Sequence, residues 1–318
     1  MVRLPKAYCG SPAIFCWKWL QFLKTAGRIK HIQIIRGISF MPIRLIATDV
    51  DGTLLNSKTE LTPATMEALR DADAHGIQIV IATGRLLTEF TELAEQLSMM
   101  RYTVTCTGAQ VLDLKTGKDV YRCALTADQM RHLYAILSPL DALFQVFSDH
   151  DHRIHNDAAY VARAEQFCGV ELARMMRSHH VTEPNLSEFI ANYQGITNKV
   201  HLFFADPAEK AKAIALLKDE PFDIMDSMPN DLEIMPRGVD KAVGLSHLAA
   251  HLGLDRSQIM AMGDGGNDAA MLRYAGLGVA MKNASDEAKA AADQVLAYTN
   301  DEDGVARAIE AVLKHGTL

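Results

Sequence analysis

Two aspartates, Asp49 and Asp51, directly follow a short apolar segment over residues 43–48. An apolar stretch of this length that ends near a glycine, here Gly52, is typical of a buried parallel strand. Carboxylates at positions i and i+2 project from the same side of an extended chain. Because an unpaired buried charge is costly, we expect this pair to share a cation, share a proton or take part in a reaction.

A second polar cluster, Thr83-Gly84-Arg85, follows the apolar run at residues 77–81. A hydroxyl group and free backbone N–H groups at a strand-to-helix junction suit a bound phosphate. The segment is therefore a candidate phosphate site.

Two more clusters lie in the last third of the chain. Lys241 occurs in the first turn of a predicted helix, whereas lysine usually favours the last turn, so we expect an anion beside it. Residues 263–268, which include Asp264, Asn267 and Asp268, again follow an apolar strand. Ligands in open α/β sheets bind beyond the carboxyl ends of the strands, so the clusters are predicted to meet.

Together these residue types indicate phosphate chemistry. Acidic oxygen ligands without a nearby His or Cys favour a hard cation, and we expect Mg²⁺ held by Asp49, Asp51 and Asp264. Lys241 and Thr83 would take up the remaining phosphate charge. One aspartate of the first pair could attack phosphorus and form an aspartyl-phosphate, while the other transfers protons as a general acid and base.

Alternating strand and helix patterns, which include a helix near 87–97, begin at residue 41 and predict an α/β fold with a doubly wound, Rossmann-like parallel sheet. Residues 125–229 mix helices and strands differently, with one helix at 158–168, and predict an inserted α+β cap. The strand at 232–234 is expected to resume the first pattern, followed by a helix at 239–251 and a strand at 258–262. The predicted organisation is thus an extension (1–40), a catalytic core (41–124 and 230–318) and a cap (125–229).

The first 40 residues hold seven basic and no acidic side chains. Three interpretations stay open: a targeting or membrane-surface segment, a disordered tail, or a gene model extended beyond a true start at Met41.

Composition narrows the classes of function. A net charge of −7 argues against nucleic-acid partners. Five cysteines without CxxC spacing favour reduced thiols and a cytoplasmic protein. The core carries no apolar run near the roughly 20 residues that a membrane helix needs. We expect a monomer or a small homo-oligomer that acts on a small phosphorylated metabolite.

The four clusters, in this order, resemble the four motifs of the haloacid dehalogenase superfamily, and the insert resembles the α/β cap of its Cof-type branch, whose members include sugar phosphatases. The resemblance covers residues 41–318. It implies a Mg²⁺-dependent phosphatase of small phosphorylated metabolites such as sugar phosphates, flavin mononucleotide or pyridoxal phosphate.

The resemblance also implies roles for single residues. Asp49 would be the nucleophile and a metal ligand, Asp51 the acid and base with its backbone carbonyl on the metal, and Asp264 a further ligand. The phosphate would be held by five residues: Val50 (through its N–H), Thr83, Gly84, Lys241 and Asn267. Supporting roles would fall to Thr53, Arg85 and Asp268.

Two positions depart from the family pattern: Gly265 stands where a side chain is usual, and Thr107 replaces an Asn before Gly108. Both bear on substrate preference rather than on the class of reaction. Two other functions stay open, namely a phosphotransferase or phosphomutase that uses the same aspartyl-phosphate, and a non-catalytic phosphate-binding protein.

Overall fold

The structure, a computed structural model, describes residues 43–148, 153–155, 158–170, 173–174, 181–183, 185–225, 228–316 and 318. Residues 41–318 form one compact unit. The three interpretations of residues 1–40 concern a segment outside the described residues and stay predictions.

The strands and helices of the described residues are numbered in chain order. The strands are β1 (Leu45–Thr48), β2 (Gln78–Ala82), β3 (Tyr102–Thr105), β4 (Gln110–Asp113), β5 (Lys118–Arg122), β6 (Ala142–Ser148), β7 (Arg153–His155), β8 (Val181–Thr182), β9 (Thr197–Phe204), β10 (Phe222–Met225), β11 (Asp231–Pro236), β12 (Ile259–Gly263), β13 (Leu277–Ala280) and β14 (Gln294–Val295). The helices are α1 (Pro63–Ala74), α2 (Thr91–Gln96), α3 (Ala127–Leu137), α4 (Ala158–Ala162), α5 (Ala164–Cys168), α6 (Leu186–Asn192), α7 (Pro207–Leu217), α8 (Lys241–Leu252), α9 (Ala269–Tyr274), α10 (Asp286–Ala291) and α11 (Gly304–His315).

The first sheet has the order β14-β13-β12-β1-β2-β3-β4-β5. Pairing is parallel from β14 to β3, and β4 and β5 extend the sheet as an antiparallel hairpin. Because β1 lies between β2 and β12, the segments that follow these three strands meet at one edge of the sheet. The predicted α/β fold with a doubly wound, parallel-dominated sheet is confirmed.

Helix α8 shows how local sequence places a functional side chain. Asp240 caps the helix, because its carboxylate accepts a hydrogen bond from the backbone N–H of Val243 at 2.8 Å. Gly253, at φ 65°, ends the helix in the left-handed conformation. These two signals put Lys241 at the first helical position, where it is fully buried.

The second sheet has the order β10-β11-β9-β6-β7-β8 and is mainly antiparallel. Side chains on a strand alternate between its two faces. On β9, Val200, Leu202 and Phe204 enter an apolar cluster that also contains Leu133 of α3 and Ala213 of α7. The opposite face of β9 is therefore directed away from this cluster.

Three predicted elements need correction. The strand predicted at 232–234 does not resume the first sheet, because β11 pairs with β9 and β10 in the second sheet. The helix predicted at 158–168 is divided at Arg163 into α4 and α5. The helix predicted near 87–97 is a short 3₁₀ turn, Leu87–Glu89, followed by α2.

Because β11 belongs to the second sheet, the chain returns to the first sheet only after Pro236. The division into a core and a cap stays a prediction. Within the described ranges, none of the helices combines the length and apolar composition needed to cross a bilayer.

Candidate active site

Asp49 lies at the carboxyl end of β1 and is held between two other segments. Its backbone N–H donates to the carbonyl of Met262 on the neighbouring strand β12 at 3.0 Å. The Nζ of Lys241 donates to its carboxylate at 2.7 Å and to Asp268 at 2.5 Å. Lys241 and Asp268 are fully buried and Asp49 is nearly so. The anion expected beside Lys241 is thus a pair of aspartates.

Asp264 completes the acidic cluster. The hydroxyl of Thr53 donates to its carboxylate at 2.8 Å, and the backbone N–H groups of Asp264 and Gly265 donate to Asp268 at 3.0 and 2.9 Å. Gly52, at φ 74°, allows this approach, because a Cβ atom there would collide with the Asp264 carboxylate. A glycine at position 52, beside the first aspartate pair, is therefore required by the close approach of Asp264.

The acidic cluster fits a divalent cation. Asp49, Asp264 and Asp268 each offer a carboxylate oxygen, and these atoms lie within 4.8 Å of one another. Hard cations such as Mg²⁺ prefer oxygen ligands of this kind. The set differs from the predicted one, in that the carboxylate of Asp268, and not that of Asp51, lies in the cluster.

Burial sets the protonation of this cluster in the absence of a metal. Loss of hydration raises the pKa of Asp49 to about 8, because it outweighs the attraction of Lys241. Burial likewise raises the pKa of Asp264 to about 6. Burial alone would lower the pKa of Lys241, but Asp268 and Asp49 raise it well above its ordinary value. Lys241 is therefore a permanent cation.

Asp51 lies outside the cluster and pairs with Arg85. The guanidinium donates to both carboxylate oxygens, from Nε at 2.8 Å and from Nη2 at 2.5 Å. The Asp51 side chain is 56% exposed, in contrast to the buried Asp49. Two carboxylates that are two positions apart in sequence thus lie in different environments, one buried and one exposed.

Seven of the predicted residues line one cavity of about 800 Å³. The lining residues are Asp49, Asp51, Thr83, Gly84, Arg85, Asp264 and Asn267. Val50, Thr53, Lys241 and Asp268 are buried. The cavity is therefore walled on one side by the segments that follow β1, β2 and β12.

The second sheet supplies the other side of this cavity with residues that sequence reasoning missed. They are Gln145 and Phe147 of β6, Lys199, His201 and Phe203 of β9, and Glu233 of β11. A signal was available, since polar and charged residues recur at every second position within apolar strands. The sequence of one strand, however, does not show whether its polar face is directed at the cavity or at solvent.

Thr107 connects the two sides. Its hydroxyl donates to Glu233 at 3.0 Å, and Lys199 donates to the other oxygen of the same carboxylate at 2.6 Å. Burial alone would raise the pKa of Glu233, but Lys199 and His201 outweigh it and lower that pKa. Thr107, which stands where the family pattern has Asn, thus forms a hydrogen bond to the second sheet.

Known proteins resemble the chain over most of its length. The family described as haloacid dehalogenase-like hydrolase matches residues 46–309. A 5-amino-6-(5-phospho-D-ribitylamino)uracil phosphatase of Bacillus subtilis is 32% identical over 84% of this chain and 94% of its own length. A phosphatase of the same name from Escherichia coli is 30% identical over 86% and 98%. A haloacid dehalogenase-like hydrolase from Bacteroides thetaiotaomicron shares the fold with a TM-score of 0.73 and 28% identity, over 85% of this chain and 99% of its own.

Proposed function

This chain belongs to the haloacid dehalogenase-like hydrolases and is a phosphatase of small phosphorylated substrates, and we propose that it works through an aspartyl-phosphate on Asp49 with Mg²⁺ as cofactor. The observation that carries the proposal is the position of Lys241. Its Nζ lies 2.5 Å from Asp268 and 2.7 Å from Asp49, and Asp49 lines the same cavity as Thr83 and Gly84.

The phosphate is held by groups that converge on this edge. Thr83 contributes its hydroxyl and Gly84 its backbone N–H from the segment after β2, and Asn267 contributes an amide from the segment after β12. Lys241 supplies fixed positive charge beside Asp49. Such preorganised donors stabilise the charge on the transferring phosphoryl group.

Mg²⁺ would be held by the carboxylates of Asp49 and Asp264 and the backbone carbonyl of Asp51, and Asp268 would support the site from behind. When bound, the ion neutralises phosphate oxygens and so permits approach by an anionic nucleophile. The parts of Asp49 and Asp264 in this assignment are supported by the cluster, in which each offers a carboxylate oxygen and all the oxygens lie within 4.8 Å of one another.

The reaction consists of two phosphoryl transfers, first from the ester to Asp49 and then from Asp49 to water. A carboxylate oxygen of Asp49 forms a bond to phosphorus while the bond to the ester oxygen breaks, and Asp51 gives the leaving alcohol its proton. Asp51 then takes a proton from water as the water oxygen attacks phosphorus. This second step releases inorganic phosphate and restores the Asp49 carboxylate.

Arg85 controls when Asp51 can act. Both oxygens of Asp51 accept hydrogen bonds from Arg85, so proton transfer to the ester oxygen requires this pair to open. An incoming phosphate dianion competes for the same guanidinium. Substrate binding would thereby release Asp51 for its role.

The inserted residues 125–229 would act as the cap that selects the substrate. Two relatives are named as phosphatases of a phosphorylated ribitylamino-uracil. The cavity of about 800 Å³ leaves room for an organic group much larger than the phosphate. We propose a small phosphorylated metabolite, a sugar phosphate or a similar ester, as substrate.

The test of this function is the release of inorganic phosphate from a panel of small phosphate monoesters. We expect release with Mg²⁺, none after chelation, and recovery when Mg²⁺ is added back. Release must not depend on a second alcohol. Turnover only in the presence of an acceptor would instead show a phosphotransferase or phosphomutase, and binding without turnover would show a non-catalytic protein.

The affinity for Mg²⁺ should rise with pH between about 6 and about 8. The raised pKa values of Asp264, to about 6, and Asp49, to about 8, mean that both carboxyls keep a proton to higher pH in the metal-free protein. A metal must displace these protons, so its affinity falls as the pH drops below either pKa. Calorimetric titration in two buffers of different ionisation enthalpy measures the proton release, and an affinity that is independent of pH would contradict the prediction.

A further inference from the structure

The turn that follows β3, residues 106–108, has an unusual backbone conformation. Cys106, Thr107 and Gly108 all have positive φ angles, of 50°, 57° and 97°. Glycine tolerates this left-handed region, but a β-branched residue such as Thr107 is strained in it. Backbone strain of this kind persists only where surrounding contacts fix the chain, and it is concentrated at functional sites. The contacts of the 106–108 turn therefore bear on function.

The 106–108 turn holds the phosphate segment, residues 83–85, through the backbone. The N–H group of Thr107 donates to the carbonyl of Thr83 at 3.0 Å, and that of Cys106 donates to the carbonyl of Arg85 at 3.1 Å. These two hydrogen bonds lie on either side of Gly84. A change in the backbone of the turn would move both carbonyls, and with them the groups that are proposed to hold the phosphate.

The hydroxyl of Thr107 connects this turn to the second sheet. It donates to Glu233 of β11 at 3.0 Å, and Lys199 of β9 donates to the other oxygen of the same carboxylate at 2.6 Å. All three side chains are buried. Hydrogen bonds to a charged group are stronger than neutral ones, and burial strengthens them further. This contact therefore helps to fix the strained backbone of Thr107.

The Lys199–Glu233 ion pair also lies against the phosphate segment. A Cβ atom added at Gly84 would be 3.4 Å from Thr107 Oγ1, 3.8 Å from Lys199 Nζ and 3.9 Å from Glu233 Oε1. The phosphate segment is thus held by the backbone of the 106–108 turn and packs, at Gly84, against the side chains of the network. A shift of the network would shift the segment.

The 106–108 turn reaches the second group that is proposed to bind phosphate as well. A Cβ atom added at Gly108 would collide with the backbone carbonyl of Asp240. Asp240 caps α8 and directly precedes Lys241. The turn therefore contacts both the segment after β2 and the start of the helix that carries the buried lysine.

Resting on the proposed function, we propose that Thr107 is a positioning residue for the phosphate group of the substrate. Its hydroxyl, bonded to Glu233, keeps the 106–108 turn in the left-handed conformation that holds Thr83 and Arg85 at the cavity. Thr107 is fully buried and acts through the phosphate segment, not by contact with the substrate. Through this contact the second sheet determines how well the first sheet binds phosphate.

The test is Thr107→Val, which keeps the β-branched shape and removes the hydroxyl. We expect inhibition by inorganic phosphate to weaken about tenfold, and kcat/KM for a phosphate monoester to fall by a similar factor, because the binding segment is misplaced. The affinity for Mg²⁺ without phosphate, measured by calorimetry, should not change, since other segments hold Asp49 and Asp264. Thr107→Ser, which returns the hydroxyl, should recover most of the loss.

The matched control is Thr103→Val, which removes a buried hydroxyl of β3 that donates to the carbonyl of Ile81 at 3.1 Å. It should lower the unfolding temperature and leave inhibition by phosphate unchanged. If Thr107→Val does not fold, Thr107→Ala gives the same comparison.

Three results would overturn the inference alone: unchanged inhibition by phosphate in the variant without the hydroxyl, a loss that Thr107→Ser does not recover, or an equal loss in Thr103→Val. A parent protein that releases no phosphate from any monoester would overturn the proposed function and the inference with it.

Discussion

Replacing Asp49 with Asn is expected to abolish phosphate release, with a fall in kcat of at least about a thousandfold, the scale seen when a catalytic nucleophile is removed. The amide keeps the shape of the side chain but lacks the anionic oxygen that must bond to phosphorus. The measurement is the steady-state hydrolysis of an activated aryl phosphate in the presence of Mg²⁺.

The same variant should remain folded and be at least as stable as the parent protein when both are free of metal. Burial raises the pKa of Asp49 from 3.8 to about 8, so ionisation of this group opposes folding across that interval. Asparagine cannot ionise, so the advantage of the variant should be absent below pH 3.8 and grow toward pH 8. The buried pair between Lys241 and Asp268 remains in place.

The control for Asp49→Asn is Asp219→Asn, the same change at an exposed position between α7 and β10. It should leave both activity and stability unaltered. Retention of more than a few per cent of parental activity by Asp49→Asn would remove Asp49 from the nucleophile's role. A marked loss of stability would show instead that the charged carboxylate contributes to folding.

Replacing Lys241 with Met should lower the free energy of unfolding by about 3–5 kcal/mol, the scale expected when one partner of a buried ion pair is removed. Lys241 is the cation for both Asp49 and Asp268, and Asp268 is fully buried. Without it, the buried Asp268 side chain loses its cation, and the neighbouring Asp49 cannot supply one. Urea unfolding at neutral pH measures the loss.

The cause of that loss can be separated from a packing effect. Adding Asp268→Asn should restore part of the stability, whereas a purely steric defect would not respond. Lys282→Met, which removes an exposed pair with Glu302 at 3.4 Å, should cost less than about 1 kcal/mol. Equal losses at the two lysines would contradict the account.

The position of the first-sheet residues could be predicted from sequence because strand ends are local features. An apolar run followed by polar residues marks where Asp49, Thr83 and Asp264 leave the sheet, and parallel pairing brings those ends together. The cap of α8 by Asp240 likewise depends on adjacent residues. Lys241 therefore falls where its neighbours in sequence require it.

The residues that the second sheet contributes to the cavity could not be predicted in the same way. Lys199 and His201 alternate with apolar residues on β9, but the sequence does not say that their face is turned toward Asp49. Glu233 was expected beside the first sheet, whereas pairing of β11 with β9 places it on the second. Contacts between segments more than a hundred residues apart, such as that of Thr107 with Glu233, depend on how the two sheets meet.

Asp268 illustrates the same limit within the first sheet. Its place in the motif predicted a supporting role, but its two oxygens serve different partners, one Lys241 and the other the backbone N–H groups of Asp264 and Gly265. This division depends on the orientation of one carboxylate. The alternation of apolar and polar residues carries no information about it.

The central claim, that Asp49 carries the phosphoryl group, is tested most directly by trapping the intermediate. Borohydride reduces an acyl phosphate to the alcohol, which would convert the modified aspartate to homoserine. Peptide mass spectrometry after quenching with borohydride during turnover should find homoserine at position 49, only when substrate and Mg²⁺ are both present. Homoserine at position 51, or an unmodified Asp49 during rapid turnover with substrate in excess, would contradict the account.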